Sequence, residues 1–227
     1  MDIDEFSEDL LLQVKMQQPT AHITAQLENI LFSELRSSLK DEARKKAFWI
    51  NIYNAYFQIL RKDYGVKKPE IYRNKLVTIA RQPLSLDNIE HGILRKYRYK
   101  FALGYLPNPF TPAIVKMLSV STIDYRIHFA LNGGAKSCPP IAFYAPDKIE
   151  WQLDMATISF LESETVVVPE KKEIHISRLF QWFIGDFGGR RGIRRILKEK
   201  LDLEKAGMKL VFTDYNWEEA LDNFAEH

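Results

Sequence analysis

Cysteine is nearly absent. A single residue, Cys138, in 227 excludes an internal disulfide and any Cys-rich zinc or iron–sulfur site, so neither a covalent staple nor a thiolate cluster holds the fold. An excess of one charge is also missing. The 32 Lys and Arg stand against 30 Asp and Glu, a formal charge of +2, which gives no general attraction to nucleic acid or to an anionic membrane; any basic partner site must be local. Nor is there a long apolar run. The most apolar stretch, AFWINIYNAYFQIL at 47–60, is interrupted by Asn51, Asn54 and Gln58 and is too short to span a bilayer. The opening MDIDEFSEDL puts acids where a signal peptide needs basic residues and an apolar run, so the expectation is a soluble, cytoplasmic protein. No repeat, HExxH, P-loop ending, serine elbow or Rossmann fingerprint occurs, and no cofactor or metal is expected.

What is present is ordinary globular composition, 46% apolar and 27% charged, with enough chain for one large core. Phe6, Leu10 and Val14 at four-residue steps predict a helix over 4–16, and a second helical pattern covers 22–40. The strongest helix is expected over 41–62, with Phe48, Ile52, Ala55 and Ile59 on one stripe and Gly65 beyond its end. Asp87 with Glu90, and Asp147 with Glu150, form capping-box patterns; the second precedes a helix at 148–162. VVVPEKKEIHI at 166–176 reads as a hairpin. After it come a helix stopped by Gly188-Gly189, the helix GIRRILKEKLDL and a final strand in KLVFTDYNW. The sum is α+β: a mainly helical single domain with a small antiparallel sheet or hairpins, a distant papain- or transglutaminase-like arrangement being one option. Residues 1–40 read as an N-terminal helical extension packed on a domain spanning 41–227.

Several residues bear chemistry. Asn51, Asn54 and Gln58 fall at i, i+3 and i+7 of an apolar helix, and a buried amide without a partner costs about 1–3 kcal/mol. They either orient a catalytic imidazole and polarise a carbonyl or tie down the backbone of a neighbouring loop. His91 follows Glu90, with Arg95 one turn along the same face, a cation that disfavours the imidazolium. His128, between Ile127 and Phe129, has the setting of a neutral core histidine, and His175 follows Cys138 in the order a papain-like enzyme uses.

For Cys138 the local register decides. If 126–131 is a strand and Asn132-Gly133-Gly134 a three-residue hairpin loop, His128 falls opposite Cys138. If Asp124 instead caps a helix running to Leu131, no spacing connects the two. Pro139-Pro140 removes two amide donors after the thiol. GGRRGIRRILKEK, 188–200, carries a buried stripe of Ile193, Ile196, Leu197 and Leu201, which leaves its cations on a solvated face rather than in a nucleic-acid site.

The blocks FWINIYNAYF, LSLDNIEHGILR, DYRIHFALNGGAKSCPP, WQLDMATISFL, RLFQWFIGDFG and TDYNW stand in this order over roughly 40–217. Together they resemble the domain-of-unknown-function family 547, found in bacteria and as a C-terminal domain in plant proteins. The family pattern maps onto Trp49 to Asn54, Ile89 to His91, Arg126 to His128 and Cys138-Pro139. A second cysteine common in the family is replaced here by the small residues Asn132 to Ala135, which argues against a role needing two thiols. The resemblance implies a His, Cys, Asn and Glu set. Cys138 would be the nucleophile, His128 or His91 the base, and Asn51 or Asn54 the orienting or oxyanion-stabilising group, with Glu90 beside His91. The resulting expectation is a cysteine-dependent hydrolase or acyltransferase acting on an amide or ester of a small-molecule or peptide substrate. The alternative is a non-catalytic protein- or peptide-binding module with a structural polar core.

Overall fold

Helix α4 (Glu42–Lys62) is the spine of the protein. The computed structural model describes residues 3–203 and 207–225, and in it every residue of α4 from Lys46 to Leu60 is buried. A helix enclosed on all sides belongs at the centre of a core. Asp41 starts it by accepting from the Arg44 N–H at 2.8 Å, the expected N-cap chemistry. Helices α1 (Ile3–Lys15), α2 (Ala21–Asn29) and α3 (Phe32–Ser38) bury Leu10, Leu11, Ile23, Leu27 and Leu35 in the same core. The pattern over 22–40 is therefore two helices, parted at Ile30, whose backbone turns extended with ψ 141°.

A short helix α5 (Glu70–Arg73) and the hairpin β1 (Val77–Ile79) and β2 (Gln82–Leu84) follow. Asn88–Leu94 then winds as a π-helix, in which the Arg95 N–H reaches back to the Glu90 carbonyl. Such wide turns recur at functional sites. The capping box expected at Asp87 and Glu90 is not made: Ser85 and Asn88 each satisfy the other's N–H instead. Asp87 pairs with Lys100, and Glu90 accepts from Tyr53 Oη at 3.2 Å. Helix α6 (Ala113–Leu118) comes next. Glu150 likewise leaves the start of α7 (Ile149–Glu164) uncapped and pairs with Lys46 and Arg126. Asp87 and Glu150 each take a cation, and Glu90 a phenol, in place of a local amide.

Between the two conformations open to 126–131 the structure takes the helical one. No strand and no Asn-Gly-Gly hairpin forms there. Asp124 accepts from the Arg126 N–H and opens a 3₁₀ helix, Tyr125–Phe129, so the helical alternative is the one found, two residues shorter than expected. Burial alone would raise the Asp124 carboxyl, but Arg126 and Lys46 outweigh it and hold the group down at about 2.

Strands β3 (Val166–Val168) and β4 (Glu173–Ile176) make the expected antiparallel hairpin. After α8 (Leu179–Trp182) and α9 (Gly189–Leu201), strand β5 (Lys209–Phe212) pairs with β4 in parallel, Ile174 opposite Leu210. A parallel pair needs a crossover, which the two helices supply; the expectation of antiparallel strands only is corrected at this edge. Phe129, Phe160, Phe180, Phe187, Ile193 and Leu197 close a second apolar cluster over the sheet side of the molecule. On α9 the cations are bound into the surface, Arg194 donating to the Met208 carbonyl and Lys200 pairing with Asp154. The whole is a mainly helical α+β domain, and none of its described helices is long and apolar enough to cross a membrane.

Candidate active site

A cavity of about 570 Å³ collects Cys138, His128, His91 and Glu90, with Tyr53 and Tyr215 on its walls. These residues come from α4, the π-helix, the 3₁₀ helix, the loop after it and the C-terminal segment, positions up to 162 residues apart from Tyr53 to Tyr215. Asn51 and Asn54 do not line it. Asn51 clasps the backbone of Tyr144, donating to its carbonyl at 2.8 Å and accepting from its N–H at 3.1 Å. Asn54 does the same for the Cys138 loop, donating to the Ala130 carbonyl and accepting from the Asn132 N–H, both at 2.9 Å. Of the two roles expected for them, the geometry shows the tie to main chain: a buried carboxamide matches one N–H and one carbonyl, and both find that match.

Asn54 thereby shapes the loop that presents the thiol. Asn132, held by Asn54, accepts from the Gly134 N–H at 2.8 Å and donates to the Pro139 carbonyl at 2.7 Å. Gly134 takes φ +68°, and a Cβ there would stand 2.5 Å from Phe57 Cε1, so only glycine fits the bend. The bend turns the N–H groups of Gly133 and Ala135 onto Cys138 Sγ, at 3.3 and 3.4 Å. Donors lost to Pro139 and Pro140 are thus replaced from upstream. Tyr215 Oη lies 3.1 Å from the same sulfur. Its segment is laced to the loop by Ser137 N–H to the Asn216 carbonyl, Lys136 N–H to Glu218 and Ala220 N–H to Gly134.

The two histidines belong to one buried network. Arg95, fully enclosed, donates from Nε to Asp186 Oδ2 at 2.6 Å and from Nη1 to His91 Nδ1 at 2.8 Å. Asp186 Oδ2 also meets His128 Nε2 at 2.9 Å. Burial would raise the Asp186 carboxyl, but His128 and Arg95 hold it below the usual carboxylate range. An ionised carboxylate only accepts, so His128 Nε2 carries a proton, and its Nδ1, without a partner among the described residues, keeps a free lone pair in the neutral ring. The ring stacks on Phe183 with centroids 4.0 Å apart, which fixes its plane. Burial, reinforced by Arg95, lowers the His128 imidazole, against the raising effect of Asp186.

His91 is the mirror case. A guanidinium can only donate, so Nδ1 is the acceptor and Nε2 bears the hydrogen, with Asp87 Oδ1 at 3.6 Å. Burial first, and Arg95 second, push His91 down to about 3. The consequence is measurable. Between about pH 6.5 and 3 the unfolded chain binds a proton that the folded chain refuses, so stability falls as the pH drops through that window. In urea unfolding, His91→Gln is expected to flatten this part of the pH profile, and NMR of the wild-type ring to show a neutral imidazole at pH 5; a protonated ring at pH 5 overturns the assignment. Glu90 is raised by burial, with Arg95, His128 and the Tyr53 hydroxyl opposing.

Cys138 and His128 share the cavity but no hydrogen bond; the groups on Sγ are two amides and a phenol. His175 sits on β4 against Glu173 at 2.8 Å and does not line the cavity. No group of three or more His, Cys, Asp or Glu among the described residues is placed to hold a metal ion. Sequence reading missed Asp186 and Tyr215. The signal for Asp186 was an acid inside FIGDFGG, an otherwise apolar and glycine-rich block, where a buried carboxylate demands a cation.

A family model described as Protein of unknown function, DUF547, matches residues 36–161, 126 of the 227 residues. It contains α4, both histidines and Cys138, and stops short of Asp186 and Tyr215. No curated protein and no solved structure matches the chain.

Proposed function

The chain belongs to the DUF547 family, and on that premise we propose that it is a cysteine-dependent hydrolase or acyltransferase acting on an amide or ester. The observation that carries this reading is the convergence of Cys138, an Asp186-held His128 and a proton-bearing His91 nitrogen at one cavity. Cys138 Sγ bonds to the substrate carbonyl carbon and its proton passes to His128 Nδ1, directly or across one water. Charge that builds on the carbonyl oxygen meets the His91 Nε2–H, a neutral imidazole donor. The C–N or C–O bond then breaks and the leaving group takes the proton from His128. Water or an acceptor nucleophile resolves the thioester and restores the thiol. Asp186 positions His128 and fixes its tautomer, and Arg95 fixes that of His91.

The single cysteine makes the test direct. Folded protein is mixed with a p-nitrophenyl acyl ester, and the acyl group is located by peptide mass spectrometry. Acylation of Cys138 faster in the folded than in the urea-unfolded chain is expected, with a burst of nitrophenolate. A thiol that reacts more slowly when folded sinks the proposal and favours the binding-module reading, to which the packed aromatic trio Trp182, Tyr215 and Trp217 lining the cavity lends support.

A further inference from the structure

From His91 to Ile123 the sequence contains no Asp or Glu. The same stretch carries Lys96, Arg98, Lys100 and Lys116 besides the buried Arg95, so a chain of nearly balanced charge is locally basic. Its apolar side chains are also turned outward: Phe110 is 89% exposed, Phe101 69%, Leu106 61% and Tyr105 56%. The exposure is built in. The loop is folded on itself, Tyr99 N–H donating to the Leu106 carbonyl and Asn108 N–H to Tyr97. It is also riveted to the body of the protein, where Gly185 N–H donates to the Leu103 carbonyl at 2.7 Å. A Cβ on Gly104 would lie 2.4 Å from Asp186 Oδ1, and one on Gly185 2.7 Å from the Gly104 carbonyl carbon. A firmly held segment does not bury these rings by rearranging.

Exposed clusters of large apolar side chains mark surfaces that meet another phase or partner. Here the surrounding charge selects between them. Asp87 neutralises Lys100 from outside the stretch, which leaves Lys96, Arg98 and Lys116; aromatics interleaved with such cations are what an anionic lipid surface rewards, by inserting rings at headgroup level and attracting cations. A protein partner would need an acidic, apolar face of its own to match. We propose that residues 96–117 dock this protein peripherally on an anionic bilayer. Lys100, Phe101 and Leu103 of the same loop line the cavity that holds Cys138, so docking sets the cavity mouth at the lipid surface.

The test is vesicle sedimentation with the full chain, comparing phosphatidylcholine vesicles with phosphatidylcholine–phosphatidylglycerol mixtures. Binding to the anionic vesicles only, weakened by salt, is expected. Leu106→Ser with Phe110→Ser, and separately Lys96→Glu with Lys116→Glu, should each weaken binding by at least about tenfold; none of these four side chains lines the Cys138 cavity. Equal binding to neutral vesicles, no binding to either, or variants that bind as wild type overturn the proposal, and an absence of lipid binding returns the patch to a protein partner. Cys138→Ala should sediment like the wild type, so failure of the acyl chemistry and failure of membrane docking are read separately.

Discussion

Cys138→Ser is expected to abolish acyl transfer, by on the order of a thousandfold or more, while leaving the urea midpoint nearly unchanged. The two effects separate because the sulfur has two jobs. As an acceptor it satisfies the N–H groups of Gly133 and Ala135 and faces Tyr215, and a serine hydroxyl can take over that work. As a nucleophile it has no equal substitute, since a hydroxyl ionises far less readily than a thiol and its oxygen is the weaker nucleophile in a site shaped around sulfur. Cys138→Ala should lose both, with stability lower by about 1–2 kcal/mol for the amides left unpaired. His128→Ala should lower kcat far more than it raises KM, because the ring acts on the proton and not on the substrate's bulk. If Cys138→Ser turns over an acyl ester at the wild-type rate, the thiol is structural.

The second large effect falls on stability. Asp186→Ala should cost about 3–5 kcal/mol in urea unfolding, because it strands the Arg95 guanidinium, enclosed and with its Nε deprived of a carboxylate. The neutral Asp186→Asn keeps the volume but not the charge and should also lose stability, by less. The diagnostic is the double mutant. Arg95→Met with Asp186→Ala removes both charges, and its loss should be smaller than the sum of the two single losses, the signature of a coupled pair. Additive losses, or an Asp186→Ala protein within about 1 kcal/mol of wild type, would mean that water or another acceptor satisfies Arg95.

Much of the scaffold could be read directly. The stripe of Phe48, Ile52, Ala55 and Ile59 located α4 because helical periodicity is a local property, and Asp41 and Gly65 punctuate it locally too. The same holds for the 166–176 hairpin and for α9, where the buried stripe correctly left the arginines outside. The capping boxes at Asp87 and Asp147 failed for the opposite reason. Asp87 and Glu150 had cations to choose outside the box, and Lys100, Lys46 and Arg126 are invisible to a local pattern.

The segment 126–131 shows the limit most clearly. Tyr125, Ile127, Phe129 and Leu131 alternate as a strand would, yet Arg126 and His128 between them are not solvent-facing strand residues. Arg126 is held by Asp124, Glu150 and Asp154, and His128 by Asp186 and Phe183. Asp124 acts locally, but the other partners, 24 to 58 residues away, help settle the conformation of five.

By itself, then, the sequence determined the helical spine, the α+β character, the lone thiol and the family blocks around it, since composition, periodicity and motif order are all carried by neighbouring residues. The tertiary structure alone decided that Asn51 and Asn54 are tethers. It also paired His128 with Asp186 rather than with Cys138, and gave the thiol its amide donors from Gly133 and Ala135. Those outcomes depend on which buried polar groups find each other once the chain is packed, and a buried donor or acceptor takes the partner that desolvation leaves within reach, wherever that partner lies along the chain.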